Sequence, residues 1–164
     1  MFRGKKIVFL LMSAILWFPS CAAPPTRPEQ GAAVAVWDLE NLSLSTSGQP
    51  DLGEILSGQV IETLKSRGDY AVVERKRLLL ALEELRLGTS ALVDESTRLR
   101  LGKLVGARWM VFGAYLVVGG QMRLDLRLVE VETGKVKKAV EKTSASRDLN
   151  DWLAVTRKAA EELL

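Results

Sequence analysis

The chain has 164 residues, 48% of them hydrophobic and 26% charged, with one cysteine and no histidine. This length suits a single globular domain and is too short for a barrel enzyme or two full lobes. Without histidine there is no catalytic triad, imidazole metal ligand or imidazole proton shuttle, and one cysteine forms neither an internal disulfide nor a thiolate zinc cluster. The net charge of +3 belongs to the amino terminus: Arg3, Lys5 and Lys6 precede the first acidic residue, Glu29, and without them bases and acids are equal in number. A balanced remainder leaves no electrostatic footprint for DNA or RNA, so no nucleic-acid partner is expected.

Residues 1–6 are basic and residues 7–17 apolar. That run is shorter than the roughly 20 residues a spanning helix needs, and it reads as an export signal covering residues 1–20. Its end, Phe18-Pro19-Ser20-Cys21, resembles the lipobox of bacterial lipoproteins, where a small residue precedes the cysteine that is acylated and becomes the new amino terminus. Phe18 and Pro19 depart from the usual leucine and small residue. Lipidation of Cys21 is the expectation; plain signal cleavage nearby, or a buried unmodified Cys21, are the other readings. Ala22 stands where an aspartate often marks inner-membrane retention, so the resemblance implies the periplasmic face of the outer membrane. Residues 21–31 form a Pro-rich tether reaching at most about 30 Å, and residues 32–164 form the folded domain.

Within that domain, the apolar run 32–37 predicts a buried strand and residues 38–50 a polar loop. Asp51 and Glu54 stand at capping-box spacing before a helix whose inward face is Leu52, Ile55, Leu56, Val60 and Leu64, ended by Gly68. A short strand at 70–73 precedes a helix over 75–86 that buries Leu78, Leu82 and Leu85. After a break at 88–93, a third helix over 94–105 turns Leu101, Leu104 and Val105 inward and stops at Gly106. The period then changes to two. Strands over 108–118 and 121–131 flank a Gly119-Gly120 hairpin turn, and Thr133-Gly134 turns the chain into a strand over 135–144. Cross-strand pairs Glu132–Lys135 and Glu130–Lys137 are expected there. Asp148 begins a last helix with Leu149, Trp152, Leu153, Thr156, Ala160 and Leu163 on one face. The expected order is β-α-β-α-α-β-β-β-α, an α/β domain with one mixed sheet.

Four stretches carry a family resemblance. Residues 34–43 (VAVWDLENLS), 70–75 (YAVVER), 101–113 (LGKLVGARWMVFG) and 128–135 (LVEVETGK) resemble, in order, segments of the CsgG family of curli-type envelope lipoproteins. Glu74, Arg75, Gly102, Gly106, Gly113 and Gly134 fall on its motifs. Arg108 and Ala114 stand where an acidic residue and serine are frequent. The resemblance implies a compact α/β core without cofactor or catalysis, acting through protein partners. It implies no room for the family's pore-forming hairpins, because the segments joining the recognised pieces are short. It also extends to activators of penicillin-binding proteins. The expected function is a non-enzymatic, lipid-anchored periplasmic component of secretion or assembly, held to the membrane by its lipid and able to form homo-oligomers. The alternatives are a curli-type secretion-ring subunit or an activator of a cell-wall synthase.

Three places are candidate sites. In residues 122–128 (MRLDLRL), Met122, Leu124, Leu126 and Leu128 alternate with Arg123, Asp125 and Arg127. The charged set is either a solvated sheet face or a partner-docking face; a transmembrane barrel strand is the boldest reading. Trp37, Asp38, Glu40 and Asn41 close the first strand, where α/β folds often hold ligands, and a hydrolase would use Asp38 or Glu40. No phosphate loop or second carboxylate cluster accompanies them, so Trp37 reads as core and no metal is expected. Trp152 and Leu163 pack on the sheet or bind a neighbour, and Glu74-Arg75 reads as an ion pair or helix entry.

Overall fold

The computed structural model describes residues 31–43, 52–85 and 94–163. The expected export signal, Cys21, most of the tether, the Asp51 cap and the break at 88–93 lie outside the described residues.

Ala33–Val36 (β1) is short, apolar and buried almost throughout, as a strand covered on both faces must be. It is followed by Glu40–Asn41 (β2), Leu52–Arg67 (α1), Ala71–Val72 (β3), Arg75–Glu84 (α2) and Glu95–Leu104 (α3). The chain then runs through Trp109–Val118 (β4), Gln121–Glu130 (β5), Val136–Thr143 (β6) and Leu149–Leu163 (α4). This is the expected order with one two-residue strand added. After the Trp37 N–H bond to Val111 O (3.0 Å) the backbone leaves the ladder, then re-pairs in parallel further along β4, with Glu40 opposite Ala114 and Asn41 opposite Tyr115.

The sheet runs β3-β1-β4-β5-β6, parallel among β3, β1 and β4 and antiparallel from β4 onward. Alternation along the strands divides the core in two. Val34, Val36, Val111, Leu124, Leu126 and Leu128 meet α1 and α4, which contribute Leu56, Val60, Leu64, Ala159, Ala160 and Leu163. Ala35, Met110, Phe112 and Val129 face the other way, against Leu78, Ala81 and Leu82 of α2, Leu101 of α3 and Val105 just after it. Trp37 is 5% exposed and belongs to this second core.

Three inward assignments are corrected, all at helix termini. Leu85 is 43% exposed, Leu104 61% and Leu149 42%. Each has the right phase for a buried stripe, but a terminal turn overhangs the sheet. Leu52 and Ile55 are only partly covered, whereas Leu56, Val60 and Leu64 are buried.

The β4–β5 hairpin turns on Gly119 and Gly120, both at positive φ, and pairs Val118 with Gln121 as expected. The β5–β6 register is corrected. Gly134 N–H donates to Glu130 O (2.8 Å) and Glu130 N–H to Lys135 O (3.0 Å), so the loop is longer than a two-residue turn. Val129 stands opposite Val136, and an irregularity between Leu128 and Val129 places Leu128 opposite Lys138. Neither expected charged pair is in register. The turn and the apolar alternation fix the pairing, while surface charges follow it. Glu130 still approaches Lys137 at 4.0 Å, and Glu132 instead meets Lys103 at 3.3 Å.

Candidate functional site

The alternation in β5 places Met122, Leu124, Leu126 and Leu128 in the core under α1 and α4, and Arg123, Asp125 and Arg127 on the opposite face. All three charged side chains remain substantially exposed there. Arg123 donates Nε to Asp125 Oδ2 (3.1 Å) and Nη2 to Glu141 Oε2 of β6 (2.9 Å). Arg127 reaches Glu95 at the start of α3 (3.6 Å). The hydrogen bond to Asp125, and then the charges of Asp125 and Glu141, hold the Arg123 guanidinium still more firmly in its charged form. Together, Arg123, Asp125, Glu141, Arg127 and Glu95 make a wet, charge-matched surface. Glu95 and Glu141 escaped sequence reasoning because their partners lie on other elements; only the register discloses them.

The end of β1 is knitted shut. Arg75, the first residue of α2, donates Nε to Asp38 Oδ1 (3.1 Å) and Nη2 to Asp38 Oδ2 (2.8 Å), a two-pronged pair. Its Nη1 meets Glu54 Oε1 in α1's first turn at 3.1 Å. Ser57 Oγ donates to Gly53 O and lies 3.4 Å from Asp38 Oδ1. Glu40 forms an ion pair with Arg98 of α3, whose guanidinium sits 5.5 Å from the centre of the Trp37 ring. The structure thus brings Asp38 and Glu40 to one end of the sheet but gives each an arginine. Neither is placed as a free base beside a cleft. Among the described residues no group of three or more His, Cys, Asp or Glu could hold a metal ion. Glu74, beside Arg75, pairs with Lys65 at 3.6 Å, and both are exposed.

The motif glycines have distinct reasons. Gly106 (φ +74) ends α3: its N–H donates to Lys103 O and Ala107 N–H to Gly102 O, the paired bonds of a Schellman cap. Gly134 (φ +68) serves the β5–β6 loop. Gly113 and Gly102 mark close approaches. A Cβ at Gly113 would stand 2.8 Å from Asp125 O and 2.7 Å from Leu126 Cδ2; one at Gly102 would stand 2.6 Å from Met110 Sδ. At the far end of the chain, Leu163 is buried and Trp152 packs partly into the α1–α4 core. The Trp152 indole N–H donates to Ser146 O (3.0 Å). Leu163 thus belongs to the core of the sheet, and Trp152 lies partly against it.

Fold and surface together define a mixed α/β domain that presents one half of a charged sheet face beside a tightly braced strand end. Comparison with known proteins gives the family: the family model for the curli production assembly/transport component CsgG matches residues 20–116. The chain belongs to the CsgG family. Its fold is shared with the LpoB C-terminal domain from Escherichia coli, at 15% identity and a TM-score of 0.61 over 71% of this chain and 84% of that one. Lipoprotein GNA1162 from Neisseria meningitidis matches at 14% identity and TM-score 0.56, over 80% and 96%. A dodecamer of a PelC variant from Paraburkholderia phytofirmans matches at 17% and 0.50, over 82% and 89%. No curated protein matches the sequence.

Proposed function

We propose that this CsgG-family chain is an envelope lipoprotein, exported by residues 1–20, acylated at Cys21, and held by residues 21–31 close to the periplasmic face of the outer membrane. The domain over 32–164 then works without chemistry of its own, as a tethered binding component of secretion or assembly. The observation that carries this reading is the half-sheet of β5 and β6 displaying Arg123, Asp125, Arg127 and Glu141 beyond α3. It is polar and preformed by the register. A lipid anchor raises the local concentration of such a surface for any membrane-bound partner. The family match beginning at residue 20, next to Cys21, adds support to the anchor.

A second reading, a closed ring of like subunits, is favoured by the fold shared with a protein described as a dodecamer. No helix of the described residues is long and apolar enough to cross a membrane. Activation of a cell-wall synthase from the outer membrane requires reach, and a tether of about 30 Å at most argues against it.

The test is the molar mass of the full-length protein extracted in detergent, by light scattering after gel filtration, beside a Cys21→Ala chain. The anchored-component reading expects a membrane-bound monomer or dimer that Cys21→Ala releases from its acyl anchor. One large closed species supports the ring. Identical membrane partitioning and identical mass of wild type and variant remove the acyl anchor from the account. Purified protein is expected to turn over no generic ester, phosphate or glycoside substrate.

A further inference from the structure

A second surface, apart from the β5–β6 face, lies where α2 ends beside α3. There a groove of about 630 Å³ is lined by Leu85, Thr97, Arg100, Lys103 and Leu104. Leu104 is 61% exposed and Leu85 43%, so two exposed large apolar side chains meet in one place. Thr97, Arg100 and Leu104 follow helical spacing along a single face of α3. The volume falls within the range of about 300–1,000 Å³ usual for small-molecule sites.

We propose that this groove binds a single-chain anionic amphiphile, its alkyl chain along Leu85 and Leu104 and its carboxylate or phosphate head at Arg100 and Lys103. The charge is complementary and available. Arg100 makes one hydrogen bond, to Thr97 Oγ1 (3.3 Å), and no ion pair among the described residues. Lys103 meets Glu132 at 3.3 Å in a pair exposed at both ends, the kind that exchanges readily for another anion.

A peptide fits this lining poorly, because an extended peptide needs partners for its backbone amides. Leu85 N–H is already bonded to Ala81 O, and Thr97 N–H to the Asp94 carboxylate. Arg100, Lys103 and Leu104 lie inside α3, and the Thr97 hydroxyl lies between Asp94 Oδ2 (3.2 Å) and Arg100. An alkyl chain makes no such demand.

The experiment uses the full chain carrying Cys21→Ala, so that no acyl group of its own competes. Binding of a fluorescent dansyl-undecanoic acid is titrated, and dodecanoate, dodecyl phosphate and dodecanol are then used to displace it. Dodecanoate and dodecyl phosphate distinguish a carboxylate from a phosphate source. Replacing both cations, Arg100→Gln with Lys103→Gln, should weaken binding about tenfold or more, the loss of charge-assisted contacts. Leu104→Ser should weaken it as well, and dodecanol should compete far less well than either anion. Circular dichroism of each variant shows whether it is folded, and glutamine keeps a long polar side chain at both positions. Unchanged affinity in folded variants, or no saturable binding by the parent chain, overturns the proposal. Dissociation of an oligomer by Leu104→Ser, with no response to any amphiphile, overturns it in favour of contact with a second copy.

Discussion

Single atoms decide whether this sheet closes. At Gly113 the nearest backbone obstacle to a methyl group is the Asp125 carbonyl on the paired strand, which cannot turn aside. At Gly102 the nearest atoms are all side-chain atoms, Met110 Sδ first, in a flexible thioether chain, and alanine there gains helix propensity. Gly113→Ala should therefore destabilise by about 1–3 kcal/mol through overpacking, and Gly102→Ala by clearly less. Urea midpoints of the two variants check the order.

Asp94 caps α3, accepting from Ser96 Oγ (2.7 Å), Thr97 N–H (2.9 Å) and Thr97 Oγ1 (3.2 Å). The Ser96 bond, followed by that from Thr97 N–H, holds its carboxyl below the ordinary value of 3.8. Glu130 is lowered in the same way, chiefly by the Thr133 hydroxyl, and Glu162 by Lys142. A lowered carboxyl in the folded state contributes stability that is complete above its unfolded pKa and disappears as pH falls through the folded value. Asp94→Asn retains a capping oxygen but does not titrate. Its urea midpoint should fall less steeply than wild type between about pH 5 and pH 2, the span over which a depressed carboxylate takes up its proton.

Between elements, the Asp38–Arg75–Glu54 junction joins β1, α1 and α2 through one guanidinium. Arg75→Ala strands a half-buried carboxylate, at a cost of about 1.5–3 kcal/mol. Arg75→Lys recovers only part of it, because one ammonium cannot reproduce the fork. Urea denaturation should rank Arg75→Ala least stable, Arg75→Lys between it and wild type, and Asp38→Asn below wild type. This junction marks the reach of sequence reasoning. Each helix and each longer strand announces itself through local period, and the Arg123–Asp125–Arg127 face is visible as a two-residue repeat. Asp38 and Glu40 are visible only as acids at a strand exit. Their arginines stand 37 and 58 positions away in sequence, and chain topology alone unites them. β2 carries no period because it has two residues, and it forms only because β4 offers an unpaired edge. The β5–β6 register depends on a bulge that no charge pattern encodes.

At the scale of the molecule, the family match ends at residue 116, inside β4, yet the fold does not. β4 and β5 pair over ten positions, and α4 covers the Leu124–Leu126–Leu128 stripe while packing on α1. Arg67 of α1 donates to Glu161 O (2.9 Å), and Lys142 of β6 pairs with Glu162. The carboxyl-terminal helix is thus a wall of the core. Leu163→Ala should cost about 2–5 kcal/mol, read as a lowered thermal midpoint, and a stop before Leu149 should give insoluble chain. Survival of a soluble, cooperatively melting truncation would show that α1 alone can cover that stripe.

The first described residues also determine how the domain bears a mechanical load. Gly31 N–H donates to Asp69 O, Ala71 N–H to Ala32 O, Val73 N–H to Val34 O, and on the other flank Arg108 N–H to Ala33 O and Trp37 N–H to Val111 O. A pull entering at residue 31 therefore arrives along the axis of a strand clasped on both sides. It strains these bonds simultaneously, in shear, instead of peeling them away one after another. A load applied at residue 31 would be resisted by the whole ladder at once, so that the strand and its two flanking neighbours yield together.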